Sequence, residues 1–220
     1  MAILEIKNLN LGFQSEDDFN QALFDVSLSL DSGKMLALVG ESGCGKSMTA
    51  MSILNLIPKT ARIMSGEILY HGENILSKTQ KQMQHIRGAK IALIPQDPMT
   101  SLNPLYTVGN QLLEIIKIHQ GLTGHEAEKK AIEAFEAVQI PSAKSRLNNY
   151  PHEFSGGMKQ RAIIAMALAC NAEILIADEP TTALDVTIQA QIMHLLNDIK
   201  INQNTSIILI THDLALVREN

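Results

Sequence analysis

Cysteine is scarce. The 220 residues hold two, Cys44 and Cys170, which form neither a CxxC pair nor a zinc-ligand spacing. A disulfide framework is therefore not expected, and a reducing compartment is favoured. Long apolar runs are missing too. The longest, residues 162–170, is about half of the ~20 residues a spanning helix needs, and no N-terminal stretch joins a basic start to an apolar run and a small-residue cleavage site. The sequence is thus expected neither to cross a membrane nor to be exported by that route, and any membrane role must come through a partner. Positive charge is in deficit, with 18 Lys and Arg against 23 Asp and Glu and a formal net charge of −5. That balance gives no global electrostatic reason to expect a nucleic-acid partner. The sequence also lacks internal repeats and low-complexity linkers.

What is present is an ordinary globular composition, 45% hydrophobic and 19% charged, which argues against a disordered or fibrous chain. The length suits one domain, or one domain with an inserted lobe. Residues 3–9 and 26–30 alternate apolar with polar side chains, and residues 67–70 suggest another such strand. This is the period of half-buried strands, so an antiparallel edge is predicted. Residues 35–39, 91–94, 174–177 and 207–210 are instead continuously apolar, as expected of parallel strands buried on both faces. Between the second and third of these, residues 97–171 contain no convincing strand and read as an inserted helical lobe. Within it, Thr123 and Glu126 have capping-box spacing, followed by Ala131, Ile132, Phe135 and Val138 on one helix face. A last helix carries Ile188, Ile192, Leu195, Leu196 and Ile199 on one stripe.

Residues 40–47 read Gly40-Glu41-Ser42-Gly43-Cys44-Gly45-Lys46-Ser47 and satisfy the phosphate-loop pattern GxxxxGK[ST]. Glycines let the backbone turn tightly and aim its N–H groups at phosphate oxygens, and the following helix adds its positive N-terminal end. Lys46 is expected at the β and γ phosphates, and Ser47 offers a hydroxyl to magnesium. The pattern arises by chance in about 1% of chains this long. The alternative, a flexible surface turn, is disfavoured because the motif follows an apolar strand and precedes a predicted helix.

The second half of the site is weaker in isolation. The apolar strand at 174–177 ends in Asp178 and Glu179, where ligands of open α/β sheets bind. Asp178 would hold magnesium and Glu179 would orient or deprotonate the attacking water. Ser155-Gly156-Gly157 precedes an apolar helix, so Ser155 can cap it and the glycines admit close approach of an anion. An ordinary glycine-containing helix start reads the same way. One nucleotide has little need of two such helix ends from one chain unless the second serves a nucleotide on another copy. His212 and Gln96 each follow an apolar strand and can reach the γ phosphate, the magnesium or the water. Taken alone, each is equally a structural residue.

Taken in order, the phosphate loop, Gln96, Ser155-Gly156-Gly157, Asp178-Glu179, Ala183-Leu184-Asp185 and His212 resemble the ATPase domains of ABC transporters across nearly the whole chain. The strings at 95–104, 150–153 and 177–187 narrow the resemblance to the oligopeptide, dipeptide and nickel importer group. The resemblance implies an α/β fold: a P-loop NTPase core with a parallel central sheet, an antiparallel β edge subdomain and an inserted helical subdomain at about 97–171, within one ATPase domain spanning 1–220. It makes Gln96 the start of the Q-loop, residues 155–160 the signature, Asp185 part of the D-loop and His212 the switch histidine. Catalysis falls to Glu179, His212 and Gln96, and magnesium to Ser47, Gln96 and Asp178. ATP is expected on residues 40–48, from Gly40 through Met48, with Phe13 stacked on adenine; Phe19 and Phe24 lie nearby in sequence. Met158 stands where the wider family often has glutamine. Family members continue past the switch histidine, so the ending at Asn220 implies a shortened chain. The implied function is ATP hydrolysis energising an importer of oligopeptides or dipeptides, or alternatively of nickel or a metal chelate. The implied partners are two membrane permease subunits, a second ATPase subunit of the same or a related chain, and an extracytoplasmic binding protein, with the chain peripheral on the cytoplasmic face of the cell membrane. A soluble ABC ATPase of DNA repair or translation would usually carry a long coiled-coil insertion or tandem units. A phosphate-loop kinase would leave the signature and His212 unexplained.

Overall fold

The fold is described for residues 2–14, 18–181 and 186–213 of a computed structural model. Strands β1 (Ala2–Gln14) and β2 (Phe19–Asp31) form an antiparallel pair, then β3 (Met35–Val39) leads into helix α1 (Lys46–Ile53). Strands β4 (Ala61–Tyr70) and β5 (Glu73–Asn74), the short helix α2 (Gln80–Gln84) and β6 (Ile91–Ile94) follow. Helices α3 (Pro98–Ser101), α4 (Val108–Gln120), α5 (Gly124–Ala137), α6 (Ala143–Arg146) and α7 (Gly156–Ala169) come next, then β7 (Ile174–Asp178), α8 (Val186–Gln203) and β8 (Ser206–Thr211).

Among the described residues the strands form two sheets. One is antiparallel with order β2-β1-β4-β5, and the other is parallel with order β3-β8-β7-β6. Alternation in β7 and β8 explains why those sequences are apolar throughout. Ile174, Ile176, Ile208 and Ile210 pack with the antiparallel sheet, while Leu175, Ala177, Ile207 and Leu209 pack with the helices on the other face. All four runs assigned to the parallel sheet are strands of it.

The antiparallel strands are longer than their alternation predicts. β4 begins six residues before the predicted Glu67 because Gly66 does not break it. Gly66 has φ +101, and a Cβ there would lie 2.6 Å from the Asn8 carbonyl oxygen. It therefore forms a bulge against β1 that no other residue fits, and the strand resumes on the far side. The expected capping box at Thr123 is also absent. Gly124 takes φ +60, which turns the first helical residue out of right-handed geometry, and Thr123 makes no side-chain cap bond. The apolar face itself is as expected, with Ala131, Phe135 and Val138 fully buried and Phe135 set edge-on to Phe154 at 6.5 Å.

At the sheet end away from the phosphate loop, Glu173 ties the two sheets together. It receives Lys90 Nζ at 2.7 Å and pairs with His71 Nε2 at 2.8 Å. Burial alone would raise its carboxyl, but hydrogen bonds from Lys90 and His71 outweigh that and bring it from an ordinary 4.5 to about 2. A depressed folded pKa favours the ionised form. The stability it contributes is therefore complete above the ordinary value and lost as pH falls through the folded one. Melting temperature should fall more steeply between about pH 5 and pH 3 in the native protein than in a Glu173→Gln variant. Equal slopes would show that this cluster does not contribute.

Candidate functional site

The phosphate loop leaves β3 at Val39 and enters α1 at Lys46. Gly45 caps that helix with φ 97, and a Cβ on it would lie 2.5 Å from Leu23 Cδ2. Both the left-handed turn and the close approach of β2 demand glycine there. Lys46 Nζ folds back over the loop, donating to the carbonyl oxygens of Gly40 at 2.7 Å and Glu41 at 2.8 Å. An ammonium is thus held by neutral oxygens in the concavity of the loop, where phosphate oxygens are the stronger acceptors.

Ser47, one residue on, crosses to the neighbouring element. Its hydroxyl donates to Asp178 Oδ1 at 3.0 Å, although 131 residues separate them. Asp178 ends β7 and is 4% exposed. Burial raises its carboxyl pKa, the Ser47 hydroxyl opposes this, and the adjacent Glu179 adds to the rise. A cation at this position would favour the charged form. The donors are oxygen, which suits magnesium, and no group of three His, Cys, Asp or Glu is gathered among the described residues.

Glu179 follows in the left-handed region at φ 46, its N–H donating to the Ile210 carbonyl of β8 at 2.9 Å. Its Oε2 accepts from Gln96 Nε2 at 3.1 Å and lies 3.4 Å from His212 Nδ1. Three strand ends, β6, β7 and β8, therefore deliver the three predicted catalytic residues to one carboxylate oxygen. A cavity of about 640 Å³ lies over them, lined by Val39, Gly40, Glu41, Ser42, Glu179 and His212. A larger cavity of about 800 Å³ lies among α4, α5 and α6, with Leu113, Leu122 and Leu147 in its wall. Gly40, Glu41 and Ser42 of the phosphate loop line the smaller one together with Glu179, and it is the candidate site.

Phe13 does not line this cavity. It lies two residues beyond Leu11 on β1 and packs on that face against the same core cluster as Leu11 and Leu23, the residue that meets Gly45, although the register of β1 with β2 shifts between Leu11 and Gly12. Phe19 instead packs over Gly12 on the other face. Ser155 caps α7, its hydroxyl accepting from the Met158 N–H at 3.3 Å. Ser155, Gly156 and Gly157 do not line the cavity. Asp185 lies outside the described residues. Sequence reasoning missed Leu23, which has no local signal because its contact with Gly45 depends on how β2 crosses the loop. It also missed Gln189, whose Nε2 donates to the Thr181 carbonyl at 3.2 Å and braces the segment after Glu179.

A family model described as ABC transporter matches residues 23–182. The chain belongs to the ABC transporter family. It is 53% identical over 218 residues to a probable peptide ABC transporter ATP-binding protein, y4tR, of Sinorhizobium fredii, covering 99% of this chain and 65% of that protein. It is 50% identical over 216 residues to the oligopeptide transport ATP-binding protein OppD of Bacillus subtilis, covering 98% of this chain and 60% of the relative. This ABC transporter chain thus spans 60–65% of the length of these two proteins. Its fold is that of an ABC cassette. It superposes with a TM-score of 0.87 and 28% identity on a dimeric ATP-binding cassette, MJ0796, in a post-hydrolysis state bound to ADP and Pi, covering 98% of this chain and 90% of the other. Against cbiO1 from Clostridium perfringens, part of the ABC transporter complex cbiONQ, the TM-score is 0.82 at 27% identity, covering 98% and 80%. Among the described residues of this family member, no helix is long and apolar enough to cross a membrane.

Proposed function

We propose that this chain binds ATP with magnesium at the phosphate loop, hydrolyses it, and energises a membrane importer of oligopeptides or dipeptides. The observation that carries the chemistry is the convergence of Gln96 and His212 on Glu179 beside a phosphate loop whose Ser47 bonds Asp178. The cargo reading rests on the relatives, which are named for peptide and oligopeptide transport.

Each step falls to a named group. The loop amides and the start of α1 receive the phosphates, and Lys46 exchanges the Gly40 and Glu41 carbonyls for β and γ oxygens. Phe13 offers its face to adenine. Magnesium, when bound, neutralises phosphate charge; Ser47, Asp178 and Gln96 would hold it. Glu179, 9% exposed, orients the attacking water and accepts its proton. Gln96 and His212, meeting on one oxygen, set the direction of that carboxylate.

The signature fits a nucleotide held by a second ATPase subunit. A Cβ on Gly157 would approach Ile188 of α8 to 3.0 Å, so packing within the chain accounts for that glycine. Gly156 differs, because among the described residues nothing lies within 4 Å of its Cβ position. No described neighbour asks for glycine at 156, which supports approach by something from outside, such as the ATP of an opposing subunit beside the capped end of α7. Asp185 belongs to that same interface in this reading. Two permease subunits, with an extracytoplasmic binding protein, would complete an assembly in which this chain is peripheral on the cytoplasmic face.

Residues 97–105 would pass the nucleotide state to the permeases, since they join Gln96 to the helical segment and end at Leu105, which is 79% exposed. Substituting Leu105 or Asp97 should lower cargo uptake by the reconstituted transporter more than it lowers basal ATP hydrolysis. Parallel loss of both would place the segment in the catalytic site or the fold. The proposed function itself is tested by ATP-driven uptake of peptides into proteoliposomes, with nickel as the competing cargo. Uptake of nickel but not peptide would overturn the cargo assignment.

A further inference from the structure

Thr211 ends β8 after the apolar run at 207–210 and is 4% exposed. Valine would fill that place equally well if packing alone mattered, so its hydroxyl calls for a reason. Its Oγ1 accepts the N–H of Asp213 at 3.0 Å. This bond spans His212, fastening the backbone on both sides of a residue whose side chain is 58% exposed and reaches Glu179 Oε2 at 3.4 Å. The same strand end holds Glu179 from the other direction, since the Ile210 carbonyl receives the Glu179 N–H. Thr211 is also in register with Val39, the last residue before the phosphate loop. The end of β8 therefore sets the backbone beneath both partners of the His212–Glu179 contact, and at Thr211 it does so with a side chain.

We propose that Thr211 is a positioning residue for hydrolysis, its hydroxyl locking the turn that delivers the His212 ring to Glu179. The proposal rests on the ATP-hydrolysing reading above. Thr211 acts through His212, while the phosphates are bound by the loop. Removing the hydroxyl should therefore slow turnover and leave ATP affinity largely intact.

The test uses Thr211→Val and Thr211→Ser in the full chain, each with His212 intact and in a His212→Ala background. Thr211→Val should lower kcat about tenfold and change KM for ATP by less than about twofold, because a small displacement of a catalytic group is felt in the chemical step. Thr211→Ser, which keeps the hydroxyl, should restore kcat. With His212 replaced, Thr211→Val should change kcat by less than about twofold, since the two changes remove one interaction. An unaltered kcat in Thr211→Val, or an equal loss without His212, would overturn the proposal.

A second readout needs no turnover. Replacing Glu179 with Gln should shift the His212 ring resonances in NMR spectra of the native chain, and shift them less when Thr211 is Val. Equal responses would overturn the positioning role even in a chain that hydrolyses ATP. Absence of ATP hydrolysis by the native chain would instead refute the function, and the ring resonances would still decide the contact.

Discussion

Replacing Glu179 with Gln should lower ATP turnover by about 10² to 10⁴, the usual loss when a positioned general base is removed. Glutamine keeps the size of the side chain and can still accept from Gln96, so the arrangement around Oε2 is largely conserved. What disappears is the ability to take a proton from water. Binding should survive, because the proposed function gives the phosphates to the loop and Lys46. Single-turnover and steady-state phosphate release measure the effect. A variant within a few-fold of the native rate would remove Glu179 from the chemistry and leave the strand end as an ordinary one.

Replacing Lys46 with Ala should instead strike binding. Charge-assisted hydrogen bonds contribute about 1.5–3 kcal/mol each, and an ammonium reaching the β and γ phosphates makes more than one. The gain is a difference, however, because in the free chain Lys46 already donates to the Gly40 and Glu41 carbonyls. A loss of about 10² in ATP affinity follows from exchanging neutral acceptors for charged ones. Folding should change little, since Glu41 is exposed and water can take over its carbonyl. Calorimetric titration of ATP with magnesium into the folded variant gives the result directly. Near-native affinity would count against the assignment of the phosphate loop.

The parts of this molecule legible in its sequence are those whose cause is local. The phosphate loop is eight consecutive residues, and its place between an apolar strand and a helix follows from their spacing. The central parallel strands β7 and β8 were legible because burial on both faces leaves an apolar run, as Ile174–Asp178 shows before its final residue, whereas the edge strand Met35–Val39 is apolar yet only partly buried. The antiparallel sheet was only partly legible. Gly66 lies just before the strand predicted at 67–70, and its left-handed φ and the closeness of the Asn8 carbonyl make it a bulge within a longer strand. Thr123 failed as a cap for a similar reason, since the next residue, Gly124, has a backbone freedom that sequence spacing does not reveal. The candidate cluster around Glu179 was the least legible in geometry. Gln96 and Glu179 lie 83 residues apart and meet only because β6 and β7 are neighbours in a sheet whose order is not that of the chain. Their residue types were readable as candidates, but the shared Glu179 oxygen was not.

The central claim is that ATP is hydrolysed at a site completed by a second ATPase subunit. Size-exclusion light scattering of Glu179→Gln, in the full-length protein with ATP and magnesium, tests it most directly. The account predicts an ATP-dependent dimer, because hydrolysis can no longer release it, and a monomer again when Ser155→Arg is added to place bulk and charge beside the end of α7. A Glu179→Gln protein that binds ATP yet stays monomeric, with native specific activity independent of protein concentration, would contradict the account.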